Sequence, residues 1–577
     1  MGNKTALVFL GVFFLLLFGL AATRVSDWDI FWQLQSGKYI WQTQSMIRTD
    51  TFTLAAATPR WEHCWLHDLI FYAVWSVGGY TAMSLLKGAL IAATAVVLAA
   101  VAKRRGTSLP ALLLVLPLAV LLTFGFWRDR PQLWSYLGFA VLLWLLEDFQ
   151  ERGGRRIFLL VPLVILWVNL HAGVLIVFPV LLAYLAAAAV EDWRKERSQN
   201  RGRVGILSLL FPLLAGALLL TPYGMADFAV AVKGAALGVA SGSTTQVLNY
   251  DWLPWSWQAN PFYLFAVVAT ALILLLGRST LSLRDLLLLG GLALMGFRLN
   301  RHTPFFLLAI AAFLPLYVTA IGRRMTERWP QCNGVPARWA VFGLVLLLLL
   351  LPAKGIGDES GFFNVGLSEG HVPVAAAEFL RAEKLPGRIF NEYVWGGYLE
   401  WQLFPAYRVY WDARQSDRQI FAEGIRLMAA DPDWPAVRAI LDRDQIDVIV
   451  LPPVHYVAGY RQGRFLDPLR NEPDWALVFA GGPAVVFVRV AAVDASWLAA
   501  HRLPDNRIED VIMELTEFLL SQNPQLYRAN GERARIFLDR RDYPRALAEL
   551  ERYMALCPPE RRDAGAVRTY QALRVRQ

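Results

Sequence analysis

Long runs of uncharged apolar residues, separated by short basic clusters, constrain this chain more than any other feature. The first run, residues 5–23, contains no Asp, Glu, Lys or Arg. At a rise of about 1.5 Å per residue, a helix of this length crosses a hydrocarbon layer of about 30 Å. Since hydrophobic residues make up 56% of the chain and charged residues only 18%, the sequence predicts a protein that crosses a membrane many times.

The basic clusters predict the orientation of these spans. They follow alternate apolar runs, at residues 103–105, 152–156, 194–203, 278–284 and 323–328. Because Lys and Arg accumulate on the cytoplasmic side, the amino terminus is predicted to be cytoplasmic, with the first run as a retained anchor. Counting the runs predicts about eleven spans, near residues 5–23, 82–102, 109–126, 132–147, 156–169, 174–190, 204–220, 262–276, 284–297, 303–321 and 339–352. An odd number places the tail outside.

The density of charged residues rises after about residue 352, which predicts three domains. Residues 1–352 form a transmembrane domain, residues 353–500 an outer α/β domain, and residues 501–577 a helical tail. Short apolar strands predicted at residues 388–390, 408–410, 448–451 and 485–488 alternate with helices between residues 370 and 492, which predicts a mostly parallel sheet. The spacing of Tyr543, Ala546 and Leu550 is similar to one tetratricopeptide helix, and a single partial repeat favours a docked hairpin or a partner-binding surface over a solenoid.

Composition also excludes several classes of function. The net charge of +9 comes from Lys and Arg dispersed along turns, so it does not predict nucleic-acid binding. Three cysteines without a CxxC pair support neither a disulfide framework nor a structural zinc site. The chain has no GxxxxGK[ST] loop, and Gly396-Gly397 in a WGGY setting is weak support for phosphate binding.

Two carboxylates, Asp27 and Asp29, lie where the first span is predicted to leave the membrane on its outer side. Such a pair could ligate a cation or act as a general base. Alternatively, the two residues could belong to a hydrated loop that ends a helix. The same loop contains further acidic and imidazole groups that could converge with them, namely Asp50, Glu62, His63, His67 and Asp68. An amphipathic stretch, residues 66–75, is predicted to lie along the interface.

Short outer loops carry a second group of candidate residues, most of them basic. Arg at the outer face opposes the usual distribution of charge, so something there is expected to compensate it, and the planar guanidinium suits a phosphate oxygen. The alternative is internal pairing, for instance of Arg128 or Arg130 with Asp129 or Asp29. Together with two residues of the first loop, the candidate substrate- or carrier-binding residues are Asp50, His63, Arg128, Arg130, His171, Arg298, Arg301 and His302.

A carboxylate pair, outer arginines and a hydrophobic bundle together suit a reaction on a polyprenyl-phosphate-linked sugar. The arginines would hold the phosphate leaving group, and Asp27 or Asp29 would deprotonate the acceptor hydroxyl. A non-catalytic scaffold whose tail binds an envelope partner is the main alternative. A transporter is disfavoured because the spans are almost uniformly apolar and no inverted repeat is evident.

The pattern resembles the GT-C superfamily of membrane glycosyltransferases, which includes protein O-mannosyltransferases, aminoarabinose transferases and oligosaccharyltransferases. The resemblance rests on Asp27-Trp28-Asp29 after the first span, the long first loop with its interfacial helix, the further spans and the outer tail. A bacterial branch of the superfamily is matched at residues 27–37, 50–52, 61–66, 390–399 and 410–414. Gln33 departs from this branch, which often has His there.

The resemblance implies a catalytic Asp in the first outer loop, hence Asp27 or Asp29. It leaves open whether Mg²⁺ or Mn²⁺ binds these two residues or whether a basic side chain replaces the metal; two carboxylates alone are too few ligands. The implied location is a bacterial inner membrane with a periplasmic tail. The implied partners are the lipid-linked sugar, membrane lipid and, through the tail, an envelope protein or glycan acceptor.

Overall fold

A computed structural model describes residues 3–55, 59, 62–195, 201–226, 253–257, 260–328, 362–414, 417–429, 434–455, 460–461 and 463–575. The chain forms two compact units. The first contains Met1–Asp27 and Trp61–Leu367, and the second contains Trp28–Arg60 and Ser368–Gln577. Most of the connection at residues 24–65 therefore belongs to the same unit as the tail.

Helices account for most of the chain up to residue 328. They are α1 Asn3–Ala21, α2 Asp29–Thr43, α3 Trp65–Arg104, α4 Leu109–Leu121, α5 Gln132–Arg152, α6 Leu160–Leu170, α7 Val177–Lys195, α8 Arg201–Ala217, α9 Pro261–Leu276, α10 Leu283–Arg298 and α11 Thr303–Arg328. Each of the first ten predicted spans overlaps one of these helices, and the eleventh, residues 339–352, lies outside the described residues.

Three helical segments in the described part of the chain are long and apolar enough to cross a membrane, judged by length and composition. They are Trp65–Arg104, Ala172–Trp193 and Asn300–Arg328. Shorter apolar helices are Leu10–Ala21, Leu109–Leu121, Gly202–Ala217 and Pro261–Leu276. The protein thus has the apolar helices of a membrane protein, and the number of eleven crossings stays a prediction.

Helix α3 is interrupted near its start. Gly78 and Gly79 have non-helical backbone angles, and Gly79 has φ +59° and ψ −153°, a conformation that only glycine adopts at low cost. The stretch 66–75, predicted to be a separate interfacial helix, is the part of α3 before this break. The break allows the two parts of α3 to point in different directions.

Buried ion pairs join five helices of the first unit. Arg105, directly after α3, donates to Glu147 of α5 at 2.7 Å and also to Asp285 of α10. Tyr184 of α7 donates to Glu147, and Tyr317 of α11 donates to Asp285, each at 2.6 Å. Each buried carboxylate therefore has both a cationic and a neutral donor, as removal from water requires.

The second unit contains α2, a small sheet and the tail helices. Its strands are β1 Arg388–Asn391, β2 Ile446–Leu451, β3 Val454–His455, β4 Tyr460–Arg461, β5 Trp475–Gly481 and β6 Ala484–Arg489. Its other helices are α12 Val374–Glu383, α13 Gly396–Leu403, α14 Arg418–Ala429, α15 Trp434–Arg443, α16 Gly463–Asn471, α17 Ala495–His501, α18 Arg507–Gln522, α19 Tyr527–Asp539, α20 Tyr543–Leu556 and α21 Ala564–Arg574.

The prediction of a mostly parallel sheet is wrong. The four-stranded sheet has the order β1-β2-β6-β5, and among these strands only β1 and β2 pair in parallel. Strands β5 and β6 are joined by a tight turn in which Gly482 has φ +55°, so they form an antiparallel hairpin. The predicted strand at 408–410 is reduced to bridges that Val409 makes with Ile389 and Thr53.

The carboxyl-terminal region is helical, as predicted, and α19 packs against α20. Ala546 and Leu550 are buried in α20, while Tyr543 at its start is half exposed. The side chain of Asp542 caps α20 by accepting from the backbone of Arg545, which satisfies one of the donors left open at a helix start. The tetratricopeptide-like character of this region stays a prediction.

Candidate functional site

Asp27 forms an ion pair with Arg130 in the first unit. Arg130 Nε donates to Asp27 Oδ2 at 2.6 Å, and the two side chains are only 18% and 6% exposed. Asp27 follows the end of α1, and Arg130 lies in the short connection between α4 and α5. The pair therefore joins two connections that the charge pattern predicts to lie on the same, outer side.

The segment that leads to Asp27 is held in place by backbone pairing. Val25 donates its N–H to the carbonyl of Gly366 at 2.8 Å, and Arg24 Nε donates to Asn364 Oδ1 at 3.0 Å. A methyl group at Gly88 of α3 would lie 2.8 Å from the carbonyl oxygen of Phe18, so α1 and α3 approach closely there. Asp27 thus extends from a fixed backbone.

A second, fully buried ion pair supports the same two connections. Lys87 Nζ of α3 donates to Asp129 Oδ2 at 3.0 Å, with side chains 2% and 1% exposed. It also donates to the carbonyl of Arg24 at 3.4 Å. Burial raises the pKa of Asp129, and the nearby Lys87 ammonium counteracts that rise. Sequence reasoning missed Lys87, although a single lysine inside the apolar run 82–102 was the available signal.

His171 is held by a chain of hydrogen bonds from tryptophan. Trp167 Nε1 donates to Ser135 Oγ at 2.7 Å, and Ser135 Oγ lies 2.6 Å from His171 Nδ1. The backbone N–H of Gly173 donates to the same Nδ1 at 3.2 Å. Since Nδ1 accepts, the neutral ring carries its proton on Nε2 and can donate from there.

Burial and nearby basic side chains both disfavour protonation of the His171 ring. Burial lowers the pKa of His171 well below its ordinary value, and the charges of Arg301, His63 and His67 lower it further. These residues come from the loop before α3, the start of α3, the α6–α7 connection and the 3₁₀ turn before α11. His67 resembles His171 in one respect, because its Nδ1 accepts from Trp134 Nε1 at 3.0 Å.

The structure brings some of the predicted site residues together. Asp27 pairs with Arg130, and His171 lies within electrostatic range of His63 and Arg301. Of the other basic candidates, His302 is half-buried in a 3₁₀ turn before α11, whereas Arg128 and Arg298 are exposed. The pairings of Arg130 with Asp27 and of Asp129 with Lys87 differ from those that the sequence suggested.

Asp29 and Asp50 belong to the second unit. Asp29 is the half-buried first residue of α2, where the positive end of the helix dipole favours a carboxylate. Asp50 is buried, and its Oδ1 accepts from the backbone of Phe52 and Thr53 at 3.0 and 3.1 Å. Its Oδ2 accepts from the Thr53 hydroxyl at 3.0 Å. Asp50 therefore shapes its own turn, as Asx turns do.

The described residues do not by themselves form a divalent cation site. Among them, no group of three or more His, Cys, Asp or Glu side chains is arranged to hold a metal ion. Asp27 already has the guanidinium of Arg130 at 2.6 Å, and Mg²⁺ or Mn²⁺ would require several further oxygen ligands. A metal at Asp27 and Asp29 stays a prediction.

Comparisons with protein-family models and with curated proteins gave no match. Solved structures do match, at low sequence identity. The oligosaccharyltransferase AglB of Archaeoglobus fulgidus has a TM-score of 0.53 at 10% identity, covering 89% of this chain and 77% of AglB. The mycobacterial arabinofuranosyltransferase AftD has a TM-score of 0.51 at 16% identity, covering 85% of this chain and 40% of AftD. ArnT of Cupriavidus metallidurans has a TM-score of 0.50 at 13% identity, covering 85% of this chain and 98% of ArnT.

Proposed function

Because the chain has the GT-C fold of these membrane glycosyltransferases, we propose that it transfers a sugar from a polyprenyl-phosphate-linked donor to an acceptor hydroxyl at the outer face of a bacterial inner membrane. The fold suggests the class of reaction. The single observation in this chain that carries the proposal is the Asp27–Arg130 ion pair at the end of the first helix. This ion pair links one of the predicted acidic residues, Asp27, to one of the predicted basic residues, Arg130.

The two carboxylates receive different roles in this proposal. One oxygen of Asp27 accepts from Arg130 at 2.6 Å, so Asp27 can hold Arg130 in place. Asp29 is our candidate for the general base. It takes the proton of the acceptor hydroxyl while the acceptor oxygen bonds to the anomeric carbon. The bond from that carbon to the phosphate oxygen breaks, and the phosphate leaves with the electron pair.

Arg130 and the group around His171 are our candidates for stabilising that leaving phosphate. A guanidinium can donate several hydrogen bonds at once, to a carboxylate such as Asp27 and to a phosphate oxygen. The neutral ring of His171 offers an Nε2–H, and Arg301 supplies a positive charge near it. Donors fixed before the reaction stabilise developing negative charge most effectively.

The structurally similar oligosaccharyltransferases suggest the lipid carrier and the acceptor. One AglB structure contains a dolichol-phosphate and an inhibitory peptide, and a related oligosaccharyltransferase structure is tethered to an acceptor peptide. By analogy, we propose a polyprenyl phosphate as carrier and a glycan or envelope protein as acceptor. The tail helices would lie in the periplasm, where they could recruit that acceptor.

The test is sugar transfer from radiolabelled polyprenyl-phosphate sugars by the purified full-length protein in lipid nanodiscs. We expect Asp29→Asn to lower the rate at least a hundredfold, as loss of a general base does. Asp27→Asn should act mainly by weakening donor binding through Arg130. Asp542→Asn is the matched control, because Asn caps a helix as well as Asp does.

Two results would contradict the proposal. If the unmodified protein transferred none of a panel of lipid-linked sugars, the non-catalytic scaffold would be favoured. If it transferred sugar and Asp29→Asn were as fast as the control, the assignment of the base would be wrong.

A further inference from the structure

Helix α2, which begins at Asp29, packs closely on α13 of the tail. The rings of Phe31 and Tyr398 meet edge to face with centroids 4.9 Å apart. A methyl group at Gly397 would lie 3.0 Å from the backbone nitrogen of Trp32 and 3.2 Å from its Cβ. The glycine of the WGGY sequence is therefore a point of helix contact, where a larger residue would separate α2 from α13.

Arg414 lies beside this contact and holds several groups at once. Its Nη2 donates to both carboxylate oxygens of Glu400 at 2.6 and 2.7 Å, and its Nε donates to Asp412 Oδ2 at 2.8 Å. The guanidinium also lies over the ring of Trp32, 5.3 Å from its centre. A planar cation can bind carboxylates along its edge and an aromatic ring on its face at the same time.

The segment after α2 is attached to the same place. Leu54 donates its N–H to the carbonyl of Val409 at 3.0 Å, and Val409 donates to the carbonyl of Phe52 at 3.3 Å. The guanidinium of Arg414 lies 5.5 Å from the centre of the Phe52 ring. Arg414 thus contacts α2 itself, through Trp32, and the segment that follows α2, through Phe52.

The charges around Arg414 make this contact costly to disturb. Glu400, Asp412 and Asp50 are all buried, and the charges of all three influence Arg414. Burial, together with the neighbouring Asp412 and Asp50, raises the pKa of Glu400 well above its usual range despite the opposing effect of Arg414. Loss of the guanidinium would leave these buried carboxylates without its compensating charge.

We propose that Arg414 is a positioning residue, which holds α2 and therefore Asp29 in the orientation that sugar transfer requires. The role given to Asp29 rests on the proposed function, whereas the attachment of α2 by Arg414 is independent of that function. In this proposal the charged residues of the stretch 410–414, Asp412 and Arg414, hold parts of the second unit together. A small displacement of a reacting group can lower a rate strongly without changing substrate affinity.

The first experiment measures how firmly α2 is held. Hydrogen–deuterium exchange of residues 30–42 is compared in the unmodified full-length protein, Arg414→Lys and Gly397→Ala. Lysine keeps the charge and loses the planar fork, whereas alanine at 397 leaves every charge in place. We expect exchange in α2 to be at least tenfold faster in both variants. Gly397→Ala also keeps the test valid if Arg414→Lys fails to fold.

The controls are chosen from similar positions outside the contact. Arg438→Lys changes an exposed arginine of α15 that pairs with Asp474 at the surface. Gly290→Ala changes a helical glycine at which a methyl group would meet nothing within 4 Å. Neither control should alter exchange in α2.

The second experiment separates positioning from general loss of structure. In steady-state sugar transfer, both variants should lower kcat about tenfold and leave KM for the lipid donor within about twofold. Unchanged exchange in α2 would overturn the inference, and so would faster exchange with an unchanged kcat. If the unmodified protein transfers no sugar, the proposed function fails, whereas the exchange data still decide whether Arg414 holds α2.

Discussion

The buried Lys87–Asp129 pair allows a quantitative prediction. Replacing Lys87 by Met keeps most of the side-chain volume and removes the ammonium that lies 3.0 Å from Asp129 Oδ2. At that distance and an effective dielectric constant of about 20, the lost attraction is about 5 kcal/mol. Breaking one side of a buried pair typically costs about 3–5 kcal/mol, because the remaining charge stays buried without compensation. We therefore expect Lys87→Met to destabilise the protein by roughly that amount.

The assay is thermal unfolding of the detergent-solubilised protein at neutral pH, followed by intrinsic tryptophan fluorescence. Lys103→Met is the matched control, because Lys103 is an exposed residue of the same helix. The double variant Lys87→Met/Asp129→Leu removes both charges and should regain most of the lost stability. If Lys87→Met unfolded at the same temperature as the control variant, or if the double variant were less stable than the single one, the reasoning would be refuted.

Three further predictions concern other buried polar groups. Tyr317→Phe removes the phenol that donates to Asp285 at 2.6 Å and should lower the unfolding free energy by about 1.5–3 kcal/mol, measured against Tyr570→Phe at a half-buried tyrosine of α21. Because burial lowers the pKa of His171, stability should fall as pH drops below about 6.5, and His171→Asn should remove part of that fall in acid-unfolding curves. Burial raises the pKa of Glu400, so the contribution of Glu400 to folding stability is complete below about pH 4.5 and is lost at higher pH. Glu400→Gln should therefore flatten the pH dependence of Tm. A curve of Tm against pH that is unchanged in this variant would contradict the prediction.

Much of the helical part of the fold was predictable because it depends on local composition. When an apolar run leaves water, its backbone N–H and C=O groups must form hydrogen bonds with each other, and a helix provides these hydrogen bonds within the run itself. The positions of α1 and α3 to α11 follow from that rule. The break at Gly78 and Gly79 was not predicted, because glycine within an apolar helix is compatible with either a straight or a bent path.

The sheet was predicted only in part, because pairing direction depends on contacts between distant segments. Strands β1, β2 and β6 lie where alternating apolar residues indicated them, but the short turn at Gly482 makes β5 and β6 a hairpin. Strand β5 was missed. Its residues resemble a buried helix as much as a strand when only hydrophobicity is considered.

The sequence by itself determined the class of this protein: an apolar helical bundle with a charged tail, and a GT-C-like pattern centred on Asp27 and Asp29. Only the tertiary structure decided what those residues touch. It pairs Asp27 with Arg130, supports that pair with Lys87 and Asp129, and attaches the helix that begins at Asp29 to Arg414. The physical reason is that hydrophobic periodicity depends on residues close together in sequence, whereas the partner of a buried charge can lie far away. Lys87 and Asp129 are 42 positions apart, and Arg414 and Trp32 are 382 positions apart.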